Sequence, residues 1–519
     1  MKLFHAYSSP KSACWSIVSS FARFLFVEVN PFLIQLHYFV ILSLLGFLAL
    51  EVSKTRTQPL FKPQSLDLFF TSVSAITVSS MSTVEMEVFS NTQLIIMTIL
   101  MLLGGEVFLS MIGLQLKRSR FVNNEKGLNA HDNSSNNSNQ GIELGVTQNP
   151  EHETQIASNS GLVSILRYNK STQFLSYVIL CYLLVAHVIG AILVYMYLSF
   201  IKNTKELLSQ RGLQAETFSI FTVVSTFANC GFIPTNENMV VFAENSGLLL
   251  ILIPLALMGN TMYPVFLRIL IWFLWKITRK QEFGFLLNKE DVENLGYDHL
   301  FPRKRSFFLG ATVLGFILIQ FVLFCSMEWN AEAMKGLSSF QKLVGSLFEA
   351  VSARHTGESI VDLSIVSPAI LVLFTMMMYL PPYTSFLPIE EQEKLNLHMV
   401  QRKRRSKKLI DTILFSNLSY LVMFIILICF FERESMKNDP LNFNALNITL
   451  EVISAYGNVG FSVGYSCKRR IHHEGLCIEK LYGFAGKWSN KGKFMLILVM
   501  FFGRLKSFTM SGGRAWILA

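Results

Sequence analysis

The sequence predicts an all-α polytopic membrane protein: four membrane–pore-loop–membrane repeats in pseudo-fourfold arrangement around one central pore. Three observations carry this. The 519 residues are 51% apolar and only 15% charged, with 45 Phe and 21 Met, and the mean hydropathy is +0.42. Soluble domains carry nearer a quarter charged residues. Eight apolar stretches approach the roughly 20 residues needed to cross a bilayer core. Between the members of each pair lies a shorter apolar segment that ends in a small residue. With 30 Gly, 14 Pro and 7 Cys, the chain is neither collagen-like, nor disordered throughout, nor a small disulfide scaffold.

The elements follow in order. Residues 1–30 read as a cytoplasmic N-terminal segment without an evident signal-peptide cleavage site, leading straight into the first span. Repeat A covers 31–116, with spans at 31–51 and 93–116. A cytoplasmic loop at 117–172 contains an Asn- and Ser-rich insert, 121–160, which reads as a disordered linker. Repeat B, 173–276, has spans at 173–200 and 247–275, with Gly259-Asn260 and Pro264 predicting a bend. After a loop at 277–305 comes repeat C, 306–388, with spans at 306–327 and 366–388. A basic loop at 389–408 precedes repeat D, 409–511, whose spans are 409–431 and 493–511, and residues 512–519 form the C-terminus.

Basic residues set the orientation. Lys117, Arg118 and Arg120, then Lys276, Arg279, Lys280, Arg303, Lys304 and Arg305, then Arg402 to Lys408 all fall between pairs of spans. Such clusters mark cytoplasmic loops, so both termini are expected inside the cell and the four intra-pair gaps outside. Most of the net charge of +10 is then topological. No aromatic-interleaved basic module points to nucleic acid, and none is expected as a partner. The fourth outer gap departs from the rule, carrying Lys468, Arg469 and Arg470. It also holds Cys467 and Cys477, a candidate disulfide, and Asn447 in Asn-Ile-Thr, a candidate glycosylation acceptor. The sequons at Asn133, Asn136 and Asn169 fall on the cytoplasmic side.

Aligning the outer gaps exposes a repeat. Phe69 to Ser80, Ile220 to Gly231, Ser346 to Gly357 and Thr449 to Gly460 each run from an apolar, helix-compatible segment into a small terminal residue. In a cation filter, backbone carbonyls replace the ion's hydration shell. Pointing successive carbonyls at one axis needs backbone angles that Gly reaches without a Cβ penalty. Ser80, Gly231, Gly357 and Gly460 are therefore the expected filter positions, with Ser79, Asn229, Cys230, His355, Thr356, Asn458 and Val459 as their neighbours. Glu85 and Glu87, just beyond the first, are placed to draw cations to the mouth. Arg504 and Lys506 interrupt the last span, and Gly503 before them permits a bend. An intramembrane cation that does not snorkel is a functional candidate, here a barrier in the pore. Glu106 pairs with a base such as Arg504 or is bonded to a hydroxyl.

These strings resemble the high-affinity potassium transporter (HKT) branch of the Trk/Ktr superfamily of plants and microbes. The match lies in Ser-Ala-Ile-Thr-Val-Ser-Ser-Met-Ser-Thr-Val-Glu-Met-Glu (74–87), Ser-Thr-Phe-Ala-Asn-Cys-Gly-Phe-Ile-Pro-Thr-Asn-Glu-Asn (225–238), Arg-His-Thr-Gly-Glu (354–358) and Ser-Ala-Tyr-Gly-Asn-Val-Gly-Phe (454–461). The resemblance implies four repeats around one pore, a filter at Ser80, Gly231, Gly357 and Gly460, and a basic pair in the cavity below it. It also implies a homodimer with one pore per subunit. The Ser at the first position resembles the Na⁺-selective subfamily; an all-Gly pattern resembles members that also carry K⁺.

The expected function is a passive, channel-like Na⁺ uniporter of the plasma membrane, with no cofactor and with monovalent cations and the bilayer as partners. A K⁺-permeable or Na⁺/K⁺ co-transporting member is the nearer alternative; an H⁺-linked secondary transporter is the more distant one. Midplane acids in inverted halves, which would favour the latter, are scarce. No Walker string, HExxH motif or phosphorylatable Asp-Lys-Thr-Gly is present, so an enzyme or primary pump is not expected. His37 and His187 have no second matched pair for haem ligation.

Overall fold

The structure, a computed structural model, describes residues 31–56, 63–116, 151–288, 297, 299–386, 417–470, 477, 479–509 and 517–518. The basic residues 117, 118, 120 and 402–408, the sequons at 133 and 136, and most of the Asn-rich insert lie outside these residues.

Helix α1 (Pro31–Val52) opens the described residues; its 22 residues make about 33 Å at 1.5 Å each, enough for a bilayer core. Next come α2 (Ser65–Ile76), α3 (Asn91–Gly104) and α4 (Glu106–Leu116). Helix α5 (Glu151–Phe200) is followed by the short α6 (Lys202–Gln210), then α7 (Ala215–Ala228), α8 (Ser246–Gly259) and α9 (Tyr263–Thr278). After α10 (Gln281–Leu287) come α11 (Arg303–Glu328), α12 (Ser339–His355) and α13 (Pro368–Tyr379). The chain finishes with α14 (Asn417–Phe431), α15 (Arg433–Asn438), α16 (Ala445–Gly457) and α17 (Asn490–Thr509). Two residue pairs, β1 (Ser385–Phe386) and β2 (Ile517–Leu518), form a small parallel ladder.

Local sequence explains where several helices begin. Ser90 with Gln93 and Ser338 with Gln341 form capping boxes at α3 and α12, each satisfying two backbone donors that the first helical turn leaves open. Pro368 starts α13, where a missing N–H costs nothing. Helix α5 starts at Glu151, ten residues inside the segment expected as a disordered linker. The apolar run of the third span is continuous with it.

Eight spans are expected, with a bend in the fourth, and the described residues are more broken than that. Leu33–Val52, Lys170–Phe200 and Arg303–Glu328 are long and apolar enough to cross a membrane unaided. The second expected span bends by 55° between α3 and α4, and the fourth by 89° between α8 and α9. The latter bend falls at Gly259-Asn260, as the sequence predicts. In the sixth, α13 ends at Tyr379, because Pro381 and Pro382 cannot continue a helix. Irregular backbone at membrane depth is stable only where it is enclosed by protein or lines a watery cavity. The outward faces of α1, α5 and α11 present Leu44, Leu48, Val185, Val188, Ile192, Leu318 and Val322 to the surroundings, a lipid-facing surface.

The short helices α2, α7, α12 and α16 sit at the centre. Each packs against one of α17, α3, α8 and α13 respectively, so the contacts run in a closed circuit. Small residues allow the approach: a Cβ on Gly104, Gly259 or Gly503 would overlap the carbonyl oxygen of Ile76, Phe227 or Tyr456. Gly503 therefore makes no bend. Helix α17 runs unbroken through it to Thr509, and the residue is small because a neighbouring backbone occupies the space.

Candidate functional site

The short helices end in one geometry. Ser79 N donates to Ser74 O at 2.9 Å, Cys230 N to Ser225 O at 2.9 Å, Gly357 N to Ser352 O at 2.9 Å, and Val459 N to Ser454 O at 3.0 Å. These five-residue closures satisfy carbonyls that the last turn leaves open and turn the chain sharply out of the helix. Positive φ follows at Ser80 (52°), Gly231 (89°) and Gly460 (103°), and in the third segment the closing donor Gly357 itself has φ 69°. Ser80 thus adopts the left-handed conformation that its three counterparts reach as glycines. For an L-residue this costs about 1–2 kcal/mol, which the surrounding contacts must offset.

The four segments touch one another in order. A Cβ on Gly231 would overlap the Thr356 carbonyl, one on Gly357 the Val459 carbonyl, and one on Gly460 the Cβ of Ser80. Buried Cys230 lies within hydrogen-bonding reach of the backbone at Ser80, linking first and second segments. Two asparagines brace alternate seams. Asn229, left-handed at φ 57°, donates from Nδ2 to His355 O at 2.8 Å and to Ala256 O at 3.3 Å. Asn458, at φ 52°, donates to Ser79 Oγ at 2.6 Å and to Met500 O at 3.3 Å. Ser79 Oγ in turn meets Thr77 Oγ1 at 2.8 Å. Each asparagine therefore joins a segment to its neighbour and to the helix behind it.

Two cavities flank these segments. Ser80, Gly231, Gly357 and Gly460 all line one of them, with Ser82, Glu237, Asp362 and Tyr482. The residues two positions earlier, Val78, Asn229, His355 and Asn458, line the other. The charges of this second cavity are Arg354, Arg504, Lys506 and Glu106. Arg504 is 4% exposed, donates from Nη2 to the Gly104 carbonyl and sits 5.9 Å from the Phe39 ring centre. It does not snorkel. Lys506 donates to the Tyr456 hydroxyl and lies 4.5 Å above that ring. Glu106 accepts from Tyr383 Oη at 3.1 Å, the hydroxyl partner of the two alternatives. Arg354 holds the carbonyls of Pro381 and Pro382 at 2.9 and 3.2 Å, joining α12 to the broken end of α13.

The mouth acids are tied down. Glu87 pairs with Arg211, which also pairs with Glu237 at 2.5 Å, and Glu87 accepts from Asn236 N at 3.2 Å. Partial burial works against the Arg211 charge, but the two carboxylates outweigh it and raise its pKa above the usual value. Glu85 is 3.4 Å from Asn236 Nδ2. Glu87 therefore fastens two loops together, with Arg211, 124 residues away, sharing its single positive charge between Glu87 and Glu237. Asn447 also departs from expectation. It lies in the first turn of α16, 4% exposed, with Nδ2 donating to Asn442 O at 2.8 Å, and so is not presented as a glycan acceptor. Cys467 and Cys477 are joined by a disulfide, with Cα atoms 5.9 Å apart.

Several buried acids near the segments escaped the sequence reading. Glu349 accepts from Ile360 N at 3.1 Å and Ser359 Oγ at 3.0 Å. Glu451 accepts from Ala485 N at 3.1 Å, and Glu358 from Thr226 Oγ1 at 2.6 Å. Asp67 meets Lys493 at 2.7 Å. Acids inside apolar segments are the available signal; Glu349 and Glu451 are served from the loops that follow their own helices, Glu358 and Asp67 from other repeats.

Among the described residues, no group of three or more His, Cys, Asp and Glu is placed to hold a metal ion. Left-handed turns that meet between two cavities in a membrane bundle are an arrangement suited to a multi-pass transport protein. A family model described as TrkH, cation transport protein, matches residues 167–517. "Sodium transporter HKT1" of Arabidopsis thaliana is 51% identical over 474 residues, covering 91% of this chain and 92% of that protein. "Cation transporter HKT1;3" of Oryza sativa subsp. japonica is 46% identical over 98% of this chain and 95% of its own. "Cation transporter HKT2;4" of the same rice is 38% identical over 97% and 96%. The chain belongs to the HKT branch of the TrkH family of cation transport proteins, and it is a transporter, not an enzyme.

Proposed function

We propose that the protein is a passive, channel-like Na⁺ uniporter of the plasma membrane. In this reading, four membrane–pore-loop–membrane repeats surround one pore, and Ser80, Gly231, Gly357 and Gly460 form its filter. Both termini are cytoplasmic, and the chain forms a homodimer with one pore per subunit. The observation that carries the reading is the shared left-handed geometry at the four positions, all lining one cavity. The circuit of contacts among short and long helices supports the repeat arrangement. The relatives named as a sodium transporter and as cation transporters support the ion class.

The mechanism follows from elementary electrostatics. Four short helices end at the filter, so their C-terminal partial charges lower the energy of a cation there. Backbone carbonyls then take the place of water around the ion. At three positions the cage is backbone only. At the first, the Ser80 side chain fills space beside Gly460 and makes the site smaller and less symmetric, which favours Na⁺. Below, Arg504 and Lys506 oppose the cation and set a barrier, as a fixed charge does in a low-dielectric cavity.

Currents recorded from oocytes expressing the full chain test this. The expected reversal potential follows the Na⁺ gradient, is indifferent to proton gradients and moves toward that of K⁺ when Ser80 is replaced by Gly. A current that requires a proton gradient refutes uniport. A reversal potential unmoved by Ser80→Gly in both ions refutes the role of Ser80.

A further inference from the structure

The chain after Gly460 differs from its three counterparts. Residues 81–90, 232–245 and 358–367 lead from the other filter positions to the next long helix, whereas 461–489 makes a much longer excursion. Its arms are bound together: Tyr465 and Lys480 exchange two backbone hydrogen bonds of 2.9 Å, and the Cys467–Cys477 disulfide joins the arms farther out. Ser462 Oγ accepts from Phe484 N at 2.8 Å and from Gly464 N at 3.2 Å. Phe484 is fully buried against Phe443, with ring centres 4.8 Å apart.

The arm so fixed, Leu481 to Gly486, rests on the first repeat. A Cβ on Gly483 would overlap the Ser82 carbonyl oxygen, and one on Gly486 would stand 3.1 Å from the Thr83 carbonyl. Gly483 has φ 174°, extended backbone open to any residue, so contact and not conformation excludes a side chain. Leu481 and Tyr482 line the outer cavity beside Ser80 and Ser82. Backbone atoms move together, and the Ser82 carbonyl is two residues from Ser80.

We propose that this return arm positions the Ser80 segment, with Gly483 as its bearing point and the Cys467–Cys477 bridge as its clamp, and that ion selectivity depends on both. The inference rests on the reading of Ser80 as a filter position. Gly483 is a positioning residue, acting on the ion through Ser82 and Ser80. A bath dithiol reduces the bridge by two successive thiolate attacks. It ends as a cyclic disulfide, its two electrons and two protons now on the Cys467 and Cys477 thiols.

The test uses the full chain in oocytes, with reversal potentials in Na⁺ and K⁺ baths and surface abundance from biotinylation. Gly483→Ala is expected to change the Na⁺/K⁺ permeability ratio about threefold or more at unchanged surface abundance, since an added methyl must displace backbone. Gly315→Ala, in open space with no atom within 4 Å, is expected to leave it unchanged. Dithiol applied to the wild type is expected to shift the ratio, with no shift in the Cys467→Ser/Cys477→Ser protein. If Gly483→Ala fails to reach the surface, the dithiol comparison decides. An unchanged ratio in Gly483→Ala and in the reduced wild type, with Ser80→Gly still shifting it, overturns the inference alone. An unchanged ratio in Ser80→Gly brings down the filter reading and the inference with it.

Discussion

The seam between the second and third segments and the seam between the fourth and first are built differently. At the former, Gly231 faces the Thr356 carbonyl, and Asn229 holds the His355 carbonyl, so backbone meets backbone. At the latter, Gly460 faces the Ser80 side chain, and Asn458 holds the Ser79 hydroxyl. A side-chain seam can be altered by substitution without moving the main chain; a backbone seam cannot. If the proposed filter reading holds, the first seam serves integrity and the second discrimination.

Gly231→Ser strikes the backbone seam and carries the largest expected effect. The added side chain meets the Thr356 carbonyl at a φ of 89°, and such overpacking and strain cost about 1–3 kcal/mol each. Whole-cell Na⁺ current is expected to fall to background. Wild-type current would erase the contrast between the seams. Ser80→Gly comes next, removing the side chain that distinguishes the fourth–first seam. The relative K⁺ permeability is expected to rise about tenfold, corresponding to a change near 1.4 kcal/mol, measured from bi-ionic reversal potentials.

The asparagines sharpen the comparison. Losing a buried hydrogen bond of this kind costs about 1–3 kcal/mol. Asn458→Ala is expected to change the Na⁺/K⁺ ratio several-fold, and Asn229→Ala to reduce current at constant ratio. The opposite pattern would exchange the roles of the two seams. Arg504→Gln leaves both seams intact and is expected to raise inward current per surface-exposed protein about two- to fivefold by lowering the barrier, without a change in reversal potential. Glu87→Gln carries the smallest effect. The pair with Arg211 is partly exposed, so its loss is worth under about 1 kcal/mol, and conductance is expected to change less than twofold.

How much of this the sequence discloses follows from the distance over which each feature is determined. Spans, the four recurring segments and the break at Gly259-Asn260 depend on neighbours along the chain, and composition and spacing reveal them. The reading of Glu87 depended on Arg211, and that of Gly503 on the backbone of another helix. The contacts of Gly483 with Ser82 and of Arg504 with Gly104 join residues some 400 positions apart. No local pattern announces such partners. The acids Glu349 and Glu451 were visible as charges in apolar segments, but which backbone donors they serve became legible only once the loops were placed.

The bond from Arg504 to the last carbonyl of α3 bears on how such a protein can evolve. The guanidinium proposed to face the permeating ion also completes the broken end of another helix. Substitutions that would tune throughput at this position carry a penalty in assembly, so lineages selected for faster or slower transport are steered toward other positions. Variation in rate should therefore accumulate around Lys506 and the rim of the inner cavity while the arginine persists.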